Sequence, residues 1–331
     1  MNTFGSALRV SIFGQSHSSY LGVTIDGCPA GIHLTSADFT NDLTRRKASH
    51  IGATARVEPD IPTIVSGVFN NKTTGNAITI VFSNFNEHSE AYSPNIVRPS
   101  TSDFVANKKY NGNNDFRGSG MFSGRMTVTL VAAAVIAKKL IPNIRINAAI
   151  QSIGGLPYSP DDTSAIEAAQ MEGDSLGGII ECTAKGVPVG LGEPYFDSCE
   201  GILSHLLFSI SGVKGVEFGA GFAIANMKGS EANDCFSNSA GKTVTNKSGG
   251  INAGITNGND VVFRVALRPT PSISKTQMTY NFATNKVEEL SIGGRHDTCF
   301  ALRVPVIIEA VTAIVLADLD MIHKMRANWK K

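Results

Sequence analysis

The chain has 331 residues, with 29 Lys or Arg and 28 Asp or Glu, so its formal net charge is +1 at neutral pH. That balance gives no global field for nucleic acid or an anionic membrane, and no run approaches the ~18 apolar residues of a membrane span. Charged residues make up only 17% and apolar residues 42%, which excludes general disorder and leaves a surface suited to subunit contacts.

The first residues lack a basic segment followed by an apolar run, so no secretory signal is expected. A strand is predicted over 8–13, followed by the turn Gly14-Gln15-Ser16-His17-Ser18. A helix over 36–46 ends on Arg45-Arg46, and strands follow over 61–69 and 77–82. The run Arg117-Gly118-Ser119-Gly120 precedes a helix over 123–140. Residues 130–137 are apolar all round, so that helix should be buried on most sides, with Lys138 and Lys139 suiting its C-terminal end. A strand over 144–153, a helix over 164–173, a strand over 178–184, a helix over 197–209 and a strand over 260–267 come next. The last helix, 305–326, has the clearest period. Ile308, Val311, Val315, Leu319 and Ile322 fall at steps of three and four, with Pro305 near the start. Strict βαβα alternation is absent, and no Gly-x-Gly-x-x-Gly follows a strand. The expected class is therefore α+β, one domain over 1–331, without a Rossmann unit.

Five cysteines, an odd number with no Cys-x-x-Cys pair, read as reduced thiols in a cytoplasmic protein rather than as a disulfide framework or a metal site. The 13 arginines are more informative. Several stand beside glycine or proline in loop-like stretches: Arg98-Pro99, Arg117-Gly118, Arg268-Pro269 and Gly294-Arg295. A guanidinium fork matches carboxylate or phosphate oxygens, and glycine lets backbone N–H groups approach the same anion. Gly118-Ser119-Gly120 before a helix resembles a phosphate cradle. Singly, each arginine also reads as a surface or capping residue. Together they point to a small polyanionic ligand. His17 in its turn and His296 between Arg295 and Asp297 are the histidines placed to move protons, although a turn histidine satisfied by backbone is an equal reading for His17.

Ordered blocks carry a resemblance to the chorismate synthase family. They include Phe13-Gly14-Gln15-Ser16-His17, Asp42-Leu43-Thr44-Arg45-Arg46, Asn114-Asp115-Phe116-Arg117-Gly118 and Phe122-Ser123-Gly124-Arg125. Val213-Lys214-Gly215-Val216-Glu217-Phe218-Gly219, Arg268-Pro269-Thr270-Pro271-Ser272 and Gly294-Arg295-His296-Asp297 continue them. The resemblance implies a β-α-β sandwich, two sheets enclosing a helical layer, commonly assembled as a homotetramer. It implies 1,4-anti elimination of phosphate from 5-enolpyruvylshikimate-3-phosphate, giving chorismate, with reduced FMN. No appended reductase is apparent, so the flavin would be reduced externally, with NADPH as one electron source. Two other readings stay open: a flavin- and anion-binding relative with faded activity, and a non-catalytic scaffold.

Carried over by position, the flavin contacts fall on Met121, Phe122, Ser123, Ser211, Gly212, Ala253, Arg268, Pro269, Thr270, Pro271, Ser272 and Arg295. The substrate arginines fall on Arg45, Arg46, Arg125 and Arg295. His17 matches the histidine taken to protonate reduced flavin, and Asp297 the carboxylate proposed, with the flavin N5, to take the substrate proton. The family's second catalytic histidine usually follows Arg-Pro-Gly, but the block here reads Arg98-Pro99-Ser100-Thr101, so Thr101 stands in its place. Gln15 replaces a glutamate, Ser18 a glycine, and Ile51 and Gly52 stand where a further basic residue is usual. A threonine hydroxyl can donate to departing phosphate but is no acid near pH 7.

Overall fold

The computed structural model describes residues 2–47, 51–54, 56, 58–85, 97–293 and 296–327. The first third runs β1 (Thr3–Phe4), β2 (Arg9–Gly14), β3 (Tyr20–Asp26), α1 (Thr40–Arg46), β4 (Thr63–Ser66), β5 (Val68–Phe69), β6 (Lys72–Thr73) and β7 (Ile78–Ser83). The middle runs α2 (Asp103–Lys109), α3 (Thr127–Leu140), β8 (Arg145–Ile153), β9 (Leu156–Pro157), α4 (Ser164–Met171), β10 (Gly178–Lys185), α5 (Cys199–Leu207) and β11 (Val213–Phe218). The last third runs α6 (Gly229–Ala232), β12 (Ile251–Asn252), β13 (Ile255–Thr256), β14 (Val261–Leu267), β15 (Gln277–Asn281), β16 (Lys286–Leu290) and α7 (Pro305–Ala327).

Two five-stranded antiparallel sheets, ordered β1-β2-β3-β7-β4 and β11-β14-β10-β8-β9, face a layer of helices. Alternation decides which face of each sheet turns inward. Leu21, Val23 and Ile25 of β3 and Ile78, Ile80 and Phe82 of β7 are buried, as are Val261, Phe263, Val265 and Leu267 of β14. Helix α3 packs on β2 and β3, α7 packs on β8 and β10, and the two helices pack on each other. Every residue of α3 from Thr127 to Ala137 is buried, as expected for a helix apolar on all sides. Its two early threonines spend their hydroxyls inside, Thr127 donating to the Gly124 carbonyl at 2.7 Å and Thr129 to the Met126 carbonyl at 2.6 Å. The expected β-α-β sandwich is the fold observed.

The carboxylate of Asp318 in α7 accepts the backbone N–H groups of Ser6, Ala7 and Leu8, at 3.0, 2.6 and 2.8 Å. It thereby fixes the turn between β1 and β2.

The structure adds elements that the sequence pattern passed over. β3 and β11 carry Gly22 and Gly215 in mid-strand, α2 is a short polar helix, and β15–β16 is an exposed hairpin. The strand expected over 61–69 is two strands, broken at Gly67, whose φ of +80° ends the pairing. Cys28, Cys182, Cys199 and Cys299 are buried, Cys235 is exposed, and none is in a disulfide. Among the described residues no helix is long and apolar enough to cross a membrane.

Candidate active site

One cavity of roughly 390 Å³ opens where the two sheets and the helical layer meet. That volume lies in the range of small-molecule sites. Its wall comes from Ser16 after β2, the end of α1, the loops before α2 and α3, the segment after β14 and the segment before α7. Seven described cationic side chains line it: Arg46, Lys47, Arg56, Arg98, Arg125, Arg268 and Arg303. Three carboxylates, Glu58, Asp60 and Asp297, stand among them. The chain's near-neutral charge thus conceals a strongly positive pocket.

Five of these arginines are each fixed by a carboxylate. Asp60 serves two of them: it accepts from Arg46 Nη2 at 3.2 Å and from Arg125 Nη1, with all three side chains at most 5% exposed. Arg125 Nε also donates to Asn84 Oδ1 at 3.0 Å. Arg46 Nε and Arg125 Nη2 are buried without a hydrogen-bond partner among the described residues. Buried polar atoms are nearly always paired, so orphan donors on fixed guanidiniums mark a place for an anion. Burial pulls Arg46 down to about 9, with Arg303 and Arg125 pushing the same way and Asp60 opposing, so it stays cationic at neutral pH.

Arg56 spans Glu58 Oε1, at 2.8 and 3.0 Å, and Ser16, whose Oγ and carbonyl each accept at 3.0 Å. Arg98 holds Asp103 in a bidentate pair at 2.7 and 2.8 Å and also donates to Ser272 Oγ at 3.2 Å and Ser119 Oγ at 3.1 Å. It therefore ties three wall segments together. Asp297 accepts the Thr54 N–H at 2.8 Å and Arg303 Nη1 at 3.2 Å. The second guanidinium edge of Arg303 reaches the Arg46 carbonyl at 3.2 Å.

The glycine run does not simply start a helix. Gly118, Ser119 and Gly120 all have positive φ, near 56°, 65° and 53°. A Cβ on Gly118 would lie 2.5 Å from His17 Nε2, so the imidazole packs directly on that backbone. Arg117 pairs with Asp115 at 2.8 Å and holds its carboxyl below the ordinary value. His296 lines the cavity, and burial with Arg98 nearby lowers its pKa.

The family model for chorismate synthase matches residues 8–321. The chain belongs to the chorismate synthase family. The chorismate synthase of Chitinophaga pinensis is 53% identical over 331 residues, covering 99% of this chain and 98% of its own. That of Dehalococcoides mccartyi is 43% identical over 351 residues, covering 97% and 96%. A crystal structure of chorismate synthase superposes with a TM-score of 0.73 at 25% identity, covering 97% of this chain and 93% of that one. Chorismate synthase is thus the enzyme class of this chain, a lyase that releases phosphate.

Most positions marked by the chorismate synthase resemblance converge. Arg46, Thr101, Phe122, Ser123, Arg125, Ser211, Gly212, Arg268, Pro269, Thr270, Pro271, Ser272 and Asp297 all line the cavity. Ser211 Oγ donates to the Phe122 carbonyl at 2.8 Å, and the Arg268 N–H to the Gly212 carbonyl at 2.9 Å, which joins three of these segments. His17 is buried behind Gly118, next to the cavity rather than on its lining. Arg45 is directed elsewhere, with Nη1 and Nη2 at 2.6 and 2.7 Å from the buried Glu309. Met121 lines an adjoining, mostly apolar pocket with Phe4, Ile12 and Leu206, which shares Ser123 and Ser211 with the cavity. Ala253 sits with φ +49° at the tip of the β12–β13 hairpin and is not part of this lining. Arg295 lies outside the described residues.

Arg56, Glu58, Asp60 and Arg303 also line the cavity, with no motif in the sequence to single them out. Arg56 and Arg303 have no glycine or proline beside them, and Asp60 acquires its role only from Arg46 and Arg125, 14 and 65 residues away. Thr101 is also more constrained than its hydroxyl alone suggests. Its Oγ1 donates to the Arg98 carbonyl at 3.0 Å and accepts the Asp103 N–H at 3.2 Å, so its one proton is committed to the turn before α2.

Proposed function

We propose that this chain eliminates phosphate from 5-enolpyruvylshikimate-3-phosphate in the arginine-lined cavity, as one catalytic domain over 1–331. The observation that carries this is the Arg46–Asp60–Arg125 cluster, with two buried donors that have no partner among the described residues, in a cavity where seven described cations outnumber three carboxylates. Arg46 and Arg125 bind the substrate's anionic groups, and Asp60 keeps both guanidiniums in place. Asp297, oriented by Thr54 and Arg303, accepts the substrate proton at a carboxylate oxygen.

The residues present also fit FMN. Thr270 Oγ1 is a further buried hydroxyl without a partner among the described residues, on the same wall as Ser272, Ser211 and Ser123. These hydroxyls, Arg268 and the backbone of Gly212 would hold the phosphate and ring edges of the cofactor, with Arg295 contributing in the family pattern. Bound reduced FMN supplies electron density while phosphate departs. His17, packed on Gly118, holds a proton at that side of the site.

Thr101 is compatible with activity because the arginines stabilise departing phosphate, and no observation favours a faded enzyme or a scaffold. A homotetramer accounts for the exposure of Tyr195, Phe196, Phe222 and Phe236, each more than three-quarters accessible. Cytoplasmic location and an external NADPH-dependent source of electrons complete the reading. The test is anaerobic incubation of the purified protein with chemically reduced FMN and substrate. Chorismate formation at a catalytic rate is expected. Flavin binding without chorismate would overturn the reading.

A further inference from the structure

When phosphate leaves, charge develops on the departing oxygen, and a proton delivered there lowers the barrier. Of the described residues lining the cavity, His296 is the one whose side chain exchanges a proton near neutral pH. Thr101 is not available, since its hydroxyl proton goes to the Arg98 carbonyl. Arg98 links the two places, because its guanidinium acts electrostatically on His296. One end of the imidazole is held by a hydrogen bond with the Gly293 backbone. Nε2, at the other end, is buried and has no hydrogen-bond partner among the described residues. A buried ring nitrogen left unpaired is costly unless a ligand atom meets it. In a cationic cavity that atom belongs to an anion.

We propose that Nε2 of His296 contacts the substrate's phosphate and protonates it as it leaves. This rests on reading the cavity as the elimination site. The carbon–oxygen bond to phosphate breaks, its electron pair stays on the departing oxygen, and the Nε2 proton passes to the phosphate. The imidazole is left neutral with its proton on Nδ1, and it regains the other from solvent after product leaves.

Charge around the ring explains how the proton arrives. Arg98 faces His296 from the segment before α2, and Asp297, paired with Arg303, from its own segment. Around the rest of the cavity stand Lys47, Arg268, Arg56 with Glu58, and Arg46 and Arg125 with Asp60. In the protein alone, burial and Arg98 favour the neutral ring. A dianion against Nε2 reverses that preference, so binding itself loads the acid.

Inorganic sulfate is the probe, because it is a dianion that does not titrate near pH 7. Calorimetry of sulfate binding at pH 7.5, in buffers of different ionisation enthalpy, counts the protons taken up. Wild type should take up close to one proton per site, and His296→Gln should take up none while still binding sulfate. Anaerobic turnover of His296→Gln with reduced FMN should fall by ~10²-fold or more, and the alkaline limb of its kcat profile should disappear. Sulfate binding without proton uptake, in a wild type that turns over, overturns this inference alone. A variant that keeps both uptake and turnover within about threefold does the same. Failure of wild type to bind sulfate and to turn over removes the reading of the site with it. Should His296→Gln not fold, wild-type proton uptake still decides.

Discussion

Asp60→Asn separates what holds the arginine cluster together from what the cluster is for. Asp60 has φ near +52°, a conformation that asparagine also tolerates, so the substitution changes charge without changing the backbone. The carboxylate lies 3.2 Å from Arg46 Nη2 and also pairs with Arg125 Nη1, at 2% exposure. At an effective dielectric near 20, one such pair is worth about 5 kcal/mol of attraction. Removing one partner of a buried pair costs about 3–5 kcal/mol, because the uncompensated charge stays buried. Two guanidiniums would then face each other without their shared anion. The expected result is a loss of about 3–5 kcal/mol in urea unfolding at fixed protein concentration. Phosphate can take the place of the missing carboxylate, so saturating phosphate should stabilise the variant more than wild type. A ligand at a hundred times its Kd adds about 2.7 kcal/mol. A variant within about 1 kcal/mol of wild type, or one gaining no more from phosphate, would refute a cluster built around an anion.

Three further outcomes follow from the same geometry. Gly118→Ala places a methyl against His17 Nε2 and adds about 1–2 kcal/mol of left-handed strain. It should lower anaerobic turnover about tenfold or more with little change in FMN affinity, and unchanged turnover would remove His17 from the reaction. Arg45→Ala should cost about 1–3 kcal/mol, because Glu309 is buried while Arg45 is 40% exposed, with KM and kcat nearly constant. A large rise in KM would return Arg45 to the substrate. The depressed pKa of His296 gives stability that is fully present above the unfolded value near 6.5 and lost as pH falls through the lower folded value. Acidification below about pH 6.5 should therefore weaken the ligand-free protein, and His296→Gln should flatten that slope; an identical slope would refute the assignment.

Much of the sandwich could be read from periodicity, because its helices and central strands bury one consistent set of apolar positions. α3 and α7 are examples, with long apolar stretches that only a helical layer between sheets can cover. β3 and β11 were harder, because Gly22 and Gly215 interrupt their alternation while neighbouring strands supply the pairing. The site divides in the same way. Arg45 and Arg46 are adjacent in sequence, but successive helical residues point about 100° apart, so only Arg46 faces the cavity. Arg56 and Arg303 gain their roles from Glu58 and Asp297, two and six residues away, whereas Asp60 meets Arg46 and Arg125 only through folding. Thr101 could be seen as a substitution, but the destination of its proton is a property of the turn.

The hold of Asp318 on residues 6–8 also bears on biosynthesis. The turn that leads into β2, and through it to Ser16 and His17, is fastened by a side chain more than 300 residues later in the chain. While a ribosome is still extending the polypeptide, three backbone N–H groups near the start have no carboxylate to bind. The helical layer then lacks α7, so the apolar face that α3 turns toward it, and the inner face of β8 and β10, stay uncovered until α7 emerges. A nascent chain stalled before α7 should therefore be a chaperone client and should lack the ordered histidine turn, however well its earlier strands have paired.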